Sequence, residues 1–516
     1  MSDPVAETRT GAVRGYDNDG ISVFKGIPYG APTGGAARFR RPGPAAPWSG
    51  VRDATQLGPS SPQMFGINLP SFDRPAFLDV FGLSDPPDTN QSEDCLVLNV
   101  WTPGIADGGA RPVLFRIHGG GYRAGSGSWN WHEGTNTARR GDAVVVTVNH
   151  RLSPVGYLYL DEIGGPEYAG SGNAGMLDLV LALEWVRDNI EAFGGDPGRV
   201  MIFGESGGGM KVSTLLAMPS AAGLFHTAIV QSGPALRATT PEAATKTAEA
   251  YLDALGVGTD ALERLGELPL QQLLDVNTEL SARAGATGVG MMSPVVDGTS
   301  LPAHPGDALA AGASADVPLM VGSTRHEMLM FLAQERGGLP DLDAAAVRER
   351  LLPMLGDRTD EVIAVFERSN PEASGTELFA TIQSAASMGM GSIRLAERKL
   401  AGGTAPVYMY LLTWRSPFDG GKYGAPHGMC VPLSMDNCWS AQWSDVPEAR
   451  GVAARMNQAW IDLAAVGDPN HADLPKWAPY SLDERATMFF DDPCVVVDDP
   501  FPEERAVLDG VPGMFG

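Results

Sequence analysis

The chain is predicted to fold in the α/β class, with a large central, mostly parallel mixed sheet flanked by helices, and three observations predict it. Strand-like and helix-like segments alternate through the first half, as crossover connections between parallel strands require. The apolar runs Pro112 to Ile117 (PVLFRI) and Ala143 to Val148 (AVVVTV) are short and bounded by turn residues, in the manner of strands buried on both faces. A third run, Val200 to Phe203, leads straight into the pentapeptide Gly204-Glu205-Ser206-Gly207-Gly208.

That third junction also carries chemistry. A serine hydroxyl is a weak nucleophile in water, so an enzyme that uses one needs a base, donors for the developing oxyanion and a backbone that exposes the oxygen. The G-x-S-x-G pattern supplies such a backbone when it joins a strand to a helix. In a chain with 64 Gly the five residues alone are a weak signal, and their surroundings single them out. Gly208 to Met218 continues with apolar residues at helical spacing, so strand, tight turn and helix follow in order.

The other elements follow the same logic. Asn173 to Phe193 places Met176, Leu177, Leu179, Val180, Leu183, Val186 and Ile190 on one helical face. His226 to Gln231, Val317 to Val321 and Pro406 to Leu412 are further strand candidates. Residues 236–285 and 335–400 carry helical patterns with few strand signals and are expected as a cap over the sheet edge. No repeat, low-complexity tract or linker divides the chain, so residues 1–516 are read as one domain.

Composition excludes several function classes. Lys and Arg number 37 against 62 Asp and Glu, and the net charge of -25 repels phosphate backbones and anionic lipid surfaces. Neither nucleic acid nor membrane is an expected partner. No apolar run reaches the length of a membrane span, and the opening residues lack the pattern of a secretory signal, so a cytoplasmic protein is expected. The four cysteines, Cys95, Cys430, Cys438 and Cys494, form no C-x-x-C pair, and neither an H-E-x-x-H motif nor a G-x-x-x-x-G-K-[ST] loop occurs. No metal or cofactor is therefore expected; Cys430 and Cys438 could bridge, but free thiols are the expected state in a reducing compartment.

A second chemical element, His118-Gly119-Gly120-Gly121-Tyr122, follows the PVLFRI strand directly. Three successive glycines let a backbone approach a ligand with its N–H groups free, as an oxyanion hole requires. A bare triple glycine is more often a surface loop. Together with a serine elbow downstream it matches the donor strip of esterases with the α/β-hydrolase fold.

At this point the chain resembles the type-B carboxylesterase family, which includes the cholinesterases. Phe193-Gly194-Gly195-Asp196-Pro197 leads through Val200 to Phe203 into the elbow as the family's serine signature does, and Glu93-Asp94-Cys95-Leu96 resembles its second signature, with Val97 where Tyr or Thr is usual. Phe24 to Tyr29, Arg38-Phe39, Val148 to Arg151, Gln231-Ser232-Gly233, Pro294 to Gly298 and Gly467 to Asn470 are further matches, so the resemblance spans nearly the whole chain. It implies an α/β-hydrolase fold with helical cap insertions.

The resemblance also implies a triad in the order Ser, Glu, His. Val321-Gly322-Ser323-Thr324-Arg325-His326-Glu327 looks like the segment that carries the acid, making Glu327 the candidate, and Gly424-Ala425-Pro426-His427-Gly428 looks like the histidine loop. Elimination agrees, since only His427 and His471 lie downstream of Glu327 and His471 sits in a polar loop. His326 neighbours the acid but is expected to point away from it. Carried over from family positions, the backbone N–H groups of Gly120, Gly121 and Gly207 would hold the oxyanion. Ser206 would attack an ester carbonyl, His427 would take its proton, and Glu327 would hold the imidazole.

Other assignments rest on the same likeness. Ser232 resembles a serine that hydrogen-bonds the triad acid, against which stands an ordinary serine ending a strand. Glu205 is either a carboxylate that steadies cationic groups and the deacylating water or a buried, hydrogen-bonded structural acid. Arg38 with Glu93, and Arg151 with Asp178, resemble ion pairs of the fold.

The substrate class is narrowed by departures from the family. Met64 to Ser92, where cholinesterases place the Trp that binds a quaternary ammonium, contains Phe65, Phe72, Phe77 and Phe81 but no Trp. The histidine is followed by Gly428-Met429-Cys430, without the acidic residue of H-G-x-E. Met291, Met292, Met328, Met330, Met388, Met390 and Met429, with Tyr122, Trp129 and Trp131, are expected near an adaptable hydrophobic cleft. Aryl or medium-chain esters suit such a site. Carbamates or amides on the same triad, and a non-catalytic binding protein of the same fold, are the alternatives; a small-molecule ester is the expected partner of a monomer or homodimer alike.

Overall fold

The structure is a computed structural model that describes residues 3–64, 90–283, 292–335 and 337–511. Its strands are, in chain order, β1 (Val5–Thr8), β2 (Gly11–Arg14), β3 (Tyr16–Asn18), β4 (Ile21–Pro28), β5 (Val51–Asp53), β6 (Val97–Thr102), β7 (Arg111–Ile117), β8 (Val144–Val148), β9 (Gly195–Glu205), β10 (Thr227–Gln231), β11 (Leu319–Thr324), β12 (Val407–Leu412), β13 (Thr487–Phe490) and β14 (Val495–Val497). The main sheet, eleven strands among the described residues, is ordered β14-β13-β12-β11-β10-β9-β7-β8-β6-β4-β3, and β1, β2 and β5 form a small second sheet. Every neighbour pair from β8 to β13 is parallel. The outer pairs β3/β4, β4/β6, β6/β8 and β13/β14 are antiparallel.

Strand periodicity divides the core into two layers. Val113, Phe115 and Ile117 of β7, Val200 and Ile202 of β9, and Leu319 and Val321 of β11 pack into one cluster with the helix Ala174–Asn189. The alternate residues Leu114, Met201, Phe203, Ile229 and Met320 pack into the other with the helix Ala449–Val466. Covering both faces with helices allows continuous apolar strands such as VVVTV.

The boundaries differ from the sequence expectation where proline or glycine intervenes. Pro318 and Pro406 have no N–H to give a ladder, and β11 and β12 begin on the residues after them, Leu319 and Val407. The helix from Asn173 tightens into a 3-10 turn at Ile190–Phe193 and stops at Gly194, whose φ of 72° a helix cannot continue. β9 starts earlier than its apolar run, at Gly195, through a bulged pairing with β7.

Among the described residues, both segments expected to be helical contain helices. The first holds the helices Pro241–Leu255 and Leu270–Arg283. The second holds Ala344–Leu355, Thr359–Ser369, Gly375–Ser384, a π-helical turn at Ala385–Gly389 and Met390–Gly402, with a core of its own around Leu351, Phe366 and Phe379. Ser384 Oγ accepts a hydrogen bond from the Met328 backbone N–H at 3.1 Å, tying this block to the helix that starts at Glu327.

Both family-like ion pairs form. Arg38 and Glu93 meet at 2.5 and 2.7 Å, and Arg38 also donates to the carbonyls of Leu265 and Leu268, joining the N-terminal region to the first helical block. Arg151 and Asp178 are both buried and paired through two nitrogens, at 2.9 and 2.7 Å, while Arg151 Nη1 donates to the Arg40 carbonyl at 2.7 Å. Breaking a buried pair leaves an uncompensated charge. Asp178→Asn is therefore expected to lower the unfolding free energy by roughly 3 kcal/mol in a denaturant titration, with turnover per folded molecule unchanged.

Candidate active site

Ser206 follows β9 directly, in a conformation that L-residues avoid, with φ 55° and ψ -123°. Its N–H donates to the Gln231 carbonyl of β10 at 2.8 Å, and its carbonyl accepts from Met210 at 3.0 Å as the helix Gly207–Leu215 begins. The turn closes only because side chains are missing around it. A Cβ on Gly204 would lie 2.4 Å from the Gly208 carbonyl carbon, and one on Gly208 would lie 2.3 Å from the Ile117 oxygen.

The glycine strip lies against this elbow. Gly120 and Gly121 adopt φ of 88° and 64°, and the Gly120 carbonyl turns away to accept from Ala124 and Arg123 at 3.0 and 3.3 Å. A Cβ on Gly207 would sit 2.3 Å from the Gly121 nitrogen, so the two backbones are in direct contact. Among the described residues the N–H groups of Gly120, Gly121 and Gly207 have no hydrogen-bond acceptor. Free donors of this kind, beside a serine at a helix N-terminus, form a site for negative charge.

Glu327 and His427 come from the loops after the adjacent parallel strands β11 and β12. Glu327 is fully buried; one oxygen accepts from the Thr324 N–H at 2.7 Å, and the other lies 2.5 Å from His427 Nδ1. With Nδ1 donating to the acid, Nε2 is the nitrogen left for proton transfer. It lies 3.1 Å from Glu205 Oε1, out of line for a hydrogen bond. Burial opposes a charged imidazole here, but the carboxylates of Glu205 and Glu327 outweigh it and lift the His427 pKa to about 9. Burial raises the Glu205 pKa as well, and His427 and a Gly428 backbone hydrogen bond only partly restrain it.

Glu205 shares the second sheet face with a polar cluster that sequence reasoning missed. Arg116 of β7 is fully buried, donates to Gln231 Oε1 at 2.6 Å and to His132 Nδ1 at 3.4 Å, and stands over the Phe203 ring at 5.0 Å. Burial draws its pKa down to about 10, with the Glu205 charge acting against that fall. The signal was present, because Arg116 interrupts an apolar run that is otherwise buried on both sides.

Several residues singled out in the sequence sit differently from expectation. Ser232 is buried at φ 50°, yet among the described residues its hydroxyl makes no hydrogen bond and does not reach Glu327, whose oxygens contact Thr324 and His427. Met328 and Met429 are buried in core clusters, as are Met330, Met388 and Met390, so they back the site as packing. Tyr122 packs edge-on against Tyr157 at 5.0 Å, and Trp129 stacks on His132 at 6.1 Å, both buried. Met291 and the phenylalanines Phe65, Phe72, Phe77 and Phe81 lie outside the described residues. His326 turns away from the triad, as expected; its Nδ1 accepts from the Ala425 N–H at 3.1 Å and so ties the acid turn to the histidine loop. All four cysteines are free thiols.

Phe331 was not anticipated. It lies one helical turn after Glu327, 41% exposed, with its ring 5.0 Å from the His427 imidazole. The apolar residue at i+4 from the acid was the available signal.

Known proteins resemble this chain over nearly its whole length. The sequence model of the carboxylesterase family matches residues 2–503. The chain is 34% identical to the para-nitrobenzyl esterase of Bacillus subtilis (strain 168), covering 98% of this chain and 99% of that one. It is 33% identical to the phenmedipham hydrolase of Pseudarthrobacter oxydans, covering 95% of each. Its fold resembles the crystal structure of a Geobacillus stearothermophilus carboxylesterase at pH 6.2, with a TM-score of 0.83 and 37% identity over 98% of this chain and 100% of that one. With an α/β-hydrolase sheet, a serine elbow and relatives matched over almost their whole lengths, the chain belongs to the carboxylesterase family.

Proposed function

We propose that this carboxylesterase works through a Ser206-His427-Glu327 triad and an acyl-enzyme intermediate, with Gly120, Gly121 and Gly207 as the oxyanion donors. The observation that carries this reading is the 2.5 Å contact between Glu327 and His427 on neighbouring strand ends, beside a strained serine and a strip of unpaired N–H groups. His427, held by Glu327 in the tautomer with Nε2 exposed, takes the Ser206 proton as its oxygen attacks the ester carbonyl. Negative charge develops on the carbonyl oxygen, where the three N–H groups receive it without reorganisation. The imidazolium then protonates the departing alcohol, and in the second half-reaction His427 activates water against the acyl-enzyme.

Glu205 acts on this cycle through charge. Its carboxylate, 3.1 Å from His427 Nε2, favours the imidazolium that forms in each transition state. With Glu205 and Glu327 both holding its charge, the imidazole releases its proton only as pH rises.

Hydrophobic aryl or medium-chain esters are the proposed substrates. Phe331 supports this, since a half-exposed ring beside His427 offers an apolar face where an acyl or aryl group would lie. The relatives act on para-nitrobenzyl esters and phenmedipham by their names, and both belong in a substrate panel. Residues 1–516 are proposed as one domain, with the helical blocks at 236–285 and 335–400 as its cap, and the enzyme as cytoplasmic.

A fluorophosphonate probe should label the wild-type enzyme and leave Ser206→Ala unlabelled, and the substitution should lower kcat on p-nitrophenyl butyrate by roughly a millionfold. Equal labelling of both proteins would rule the serine out.

The pH profile tests Glu205. In the wild type, kcat/KM should rise with pH as His427 loses its proton. Removing the negative charge in Glu205→Gln takes away a cause of the raised His427 pKa, so the rising limb should move to lower pH; a limb that stays or moves upward would show that Glu205 does not set it.

A further inference from the structure

Lys211 lies on the helix Gly207–Leu215 that follows the elbow, and its side chain is fully buried. Its amine donates to the His118 backbone carbonyl at 3.2 Å and stands 5.8 Å from the Tyr122 ring centroid. Among the described residues no carboxylate compensates it, and burial draws its pKa down to about 7. The rings beside it do not help. His118 and His150 stack at 4.7 Å, and burial holds both well below the ordinary histidine range and so neutral. An amine enclosed without a counter-ion weakens a fold rather than strengthening it. The one hydrogen bond it makes among the described residues indicates what it does.

The bonded carbonyl belongs to the first residue of the glycine strip. Gly207 and Lys211 are four residues apart and share one helical face. Along that region Gly207 lies against Gly121, Gly208 against the Ile117 and His118 oxygens, and Lys211 grips the His118 carbonyl. The two glycine contacts can only push the backbones together to their limit. Lys211 supplies a directional bond, and His118 Nδ1, 2.8 Å from the Gly119 oxygen, locks the next peptide. We propose that Lys211 is a positioning residue that fixes the strip carrying Gly120 and Gly121 in register with Gly207 and Ser206, so that all three oxyanion donors converge.

This inference rests on the oxyanion reading above, and one set of measurements separates the two. Lys211→Met keeps the length and volume of the side chain and removes the donor. On a p-nitrophenyl ester it should lower kcat about tenfold with KM within twofold, because a misplaced donor weakens the transition state more than the substrate complex. The inhibition constant of an aryl trifluoromethyl ketone, whose serine adduct places an oxyanion in the hole, should weaken by the same factor. The melting temperature should hold or rise, since an uncompensated buried amine has been removed. A merely structural lysine gives the opposite pattern, a lower melting temperature with kcat and the ketone constant per folded molecule unchanged, and that result overturns the proposal. So does a Lys211→Met enzyme within twofold of wild type in kcat while Ser206→Ala is inert. If Ser206→Ala turns over like wild type, the triad reading falls and this inference with it. Should Lys211→Met not fold, Lys211→Gln is read by the same three measurements.

Discussion

The site depends on a backbone held where it would not go by itself. Ser206 at φ 55° and ψ -123° occupies a region that costs an L-residue about 1 to 3 kcal/mol, and it stays there because its surroundings leave no alternative. The N–H bond to Gln231 fixes it to β10, the helix from Gly207 starts immediately, and Gly233 packs so close that a Cβ there would lie 2.0 Å from the Ser206 oxygen. Glycines at 204, 207, 208 and 233 are thus space requirements set by neighbouring backbones. Relaxing the elbow would displace the nucleophile and the Gly207 donor together.

Charge is arranged around His427 with the same economy of groups. Three carboxylate or guanidinium side chains, Glu327, Glu205 and Arg116, are buried on or near the second face of the sheet, where alternation along β7 and β9 has put Leu114 and Phe203 as well. Strand period therefore decides that Arg116 and Glu205 face the imidazole side. Glu327 orients the ring through Nδ1, and Glu205 addresses Nε2. Gln231 Oε1 and His132 Nδ1 accept from Nη1 and Nε of Arg116, while its Nη2 has no hydrogen-bond partner among the described residues.

Much of this was legible in the sequence. Short apolar runs bounded by turns predicted the central strands, because a parallel sheet covered on both faces leaves no polar alternation, and the elbow was recognisable because strand, G-x-S-x-G and helix are contiguous. Prolines 318 and 406 set strand starts that hydrophobicity alone placed too early. What stayed hidden were contacts between distant segments. Nothing near Lys211 points to His118, and Ser232, placed by likeness to a family position, turned out to have no bond to Glu327. The methionines show the same limit: composition suggested a cleft lining, whereas packing put Met328 and Met429 in cores and left Phe331 beside the histidine.

Position along the sheet explains why one end holds all the chemistry. The glycine strip, the elbow, Ser232, Glu327 and His427 follow β7, β9, β10, β11 and β12, which are consecutive neighbours with parallel direction. Loops after parallel strands emerge on one edge, so distant residues meet there. On this edge the donors converge on one oxyanion. The most direct measurement is a crystal structure of the enzyme inactivated by a phosphonate. Phosphorus bonded to Ser206 Oγ, with its oxygen within about 3 Å of the Gly120, Gly121 and Gly207 nitrogens, is the predicted result. Phosphorus on another residue, or an oxygen turned away from those nitrogens toward solvent, would contradict it.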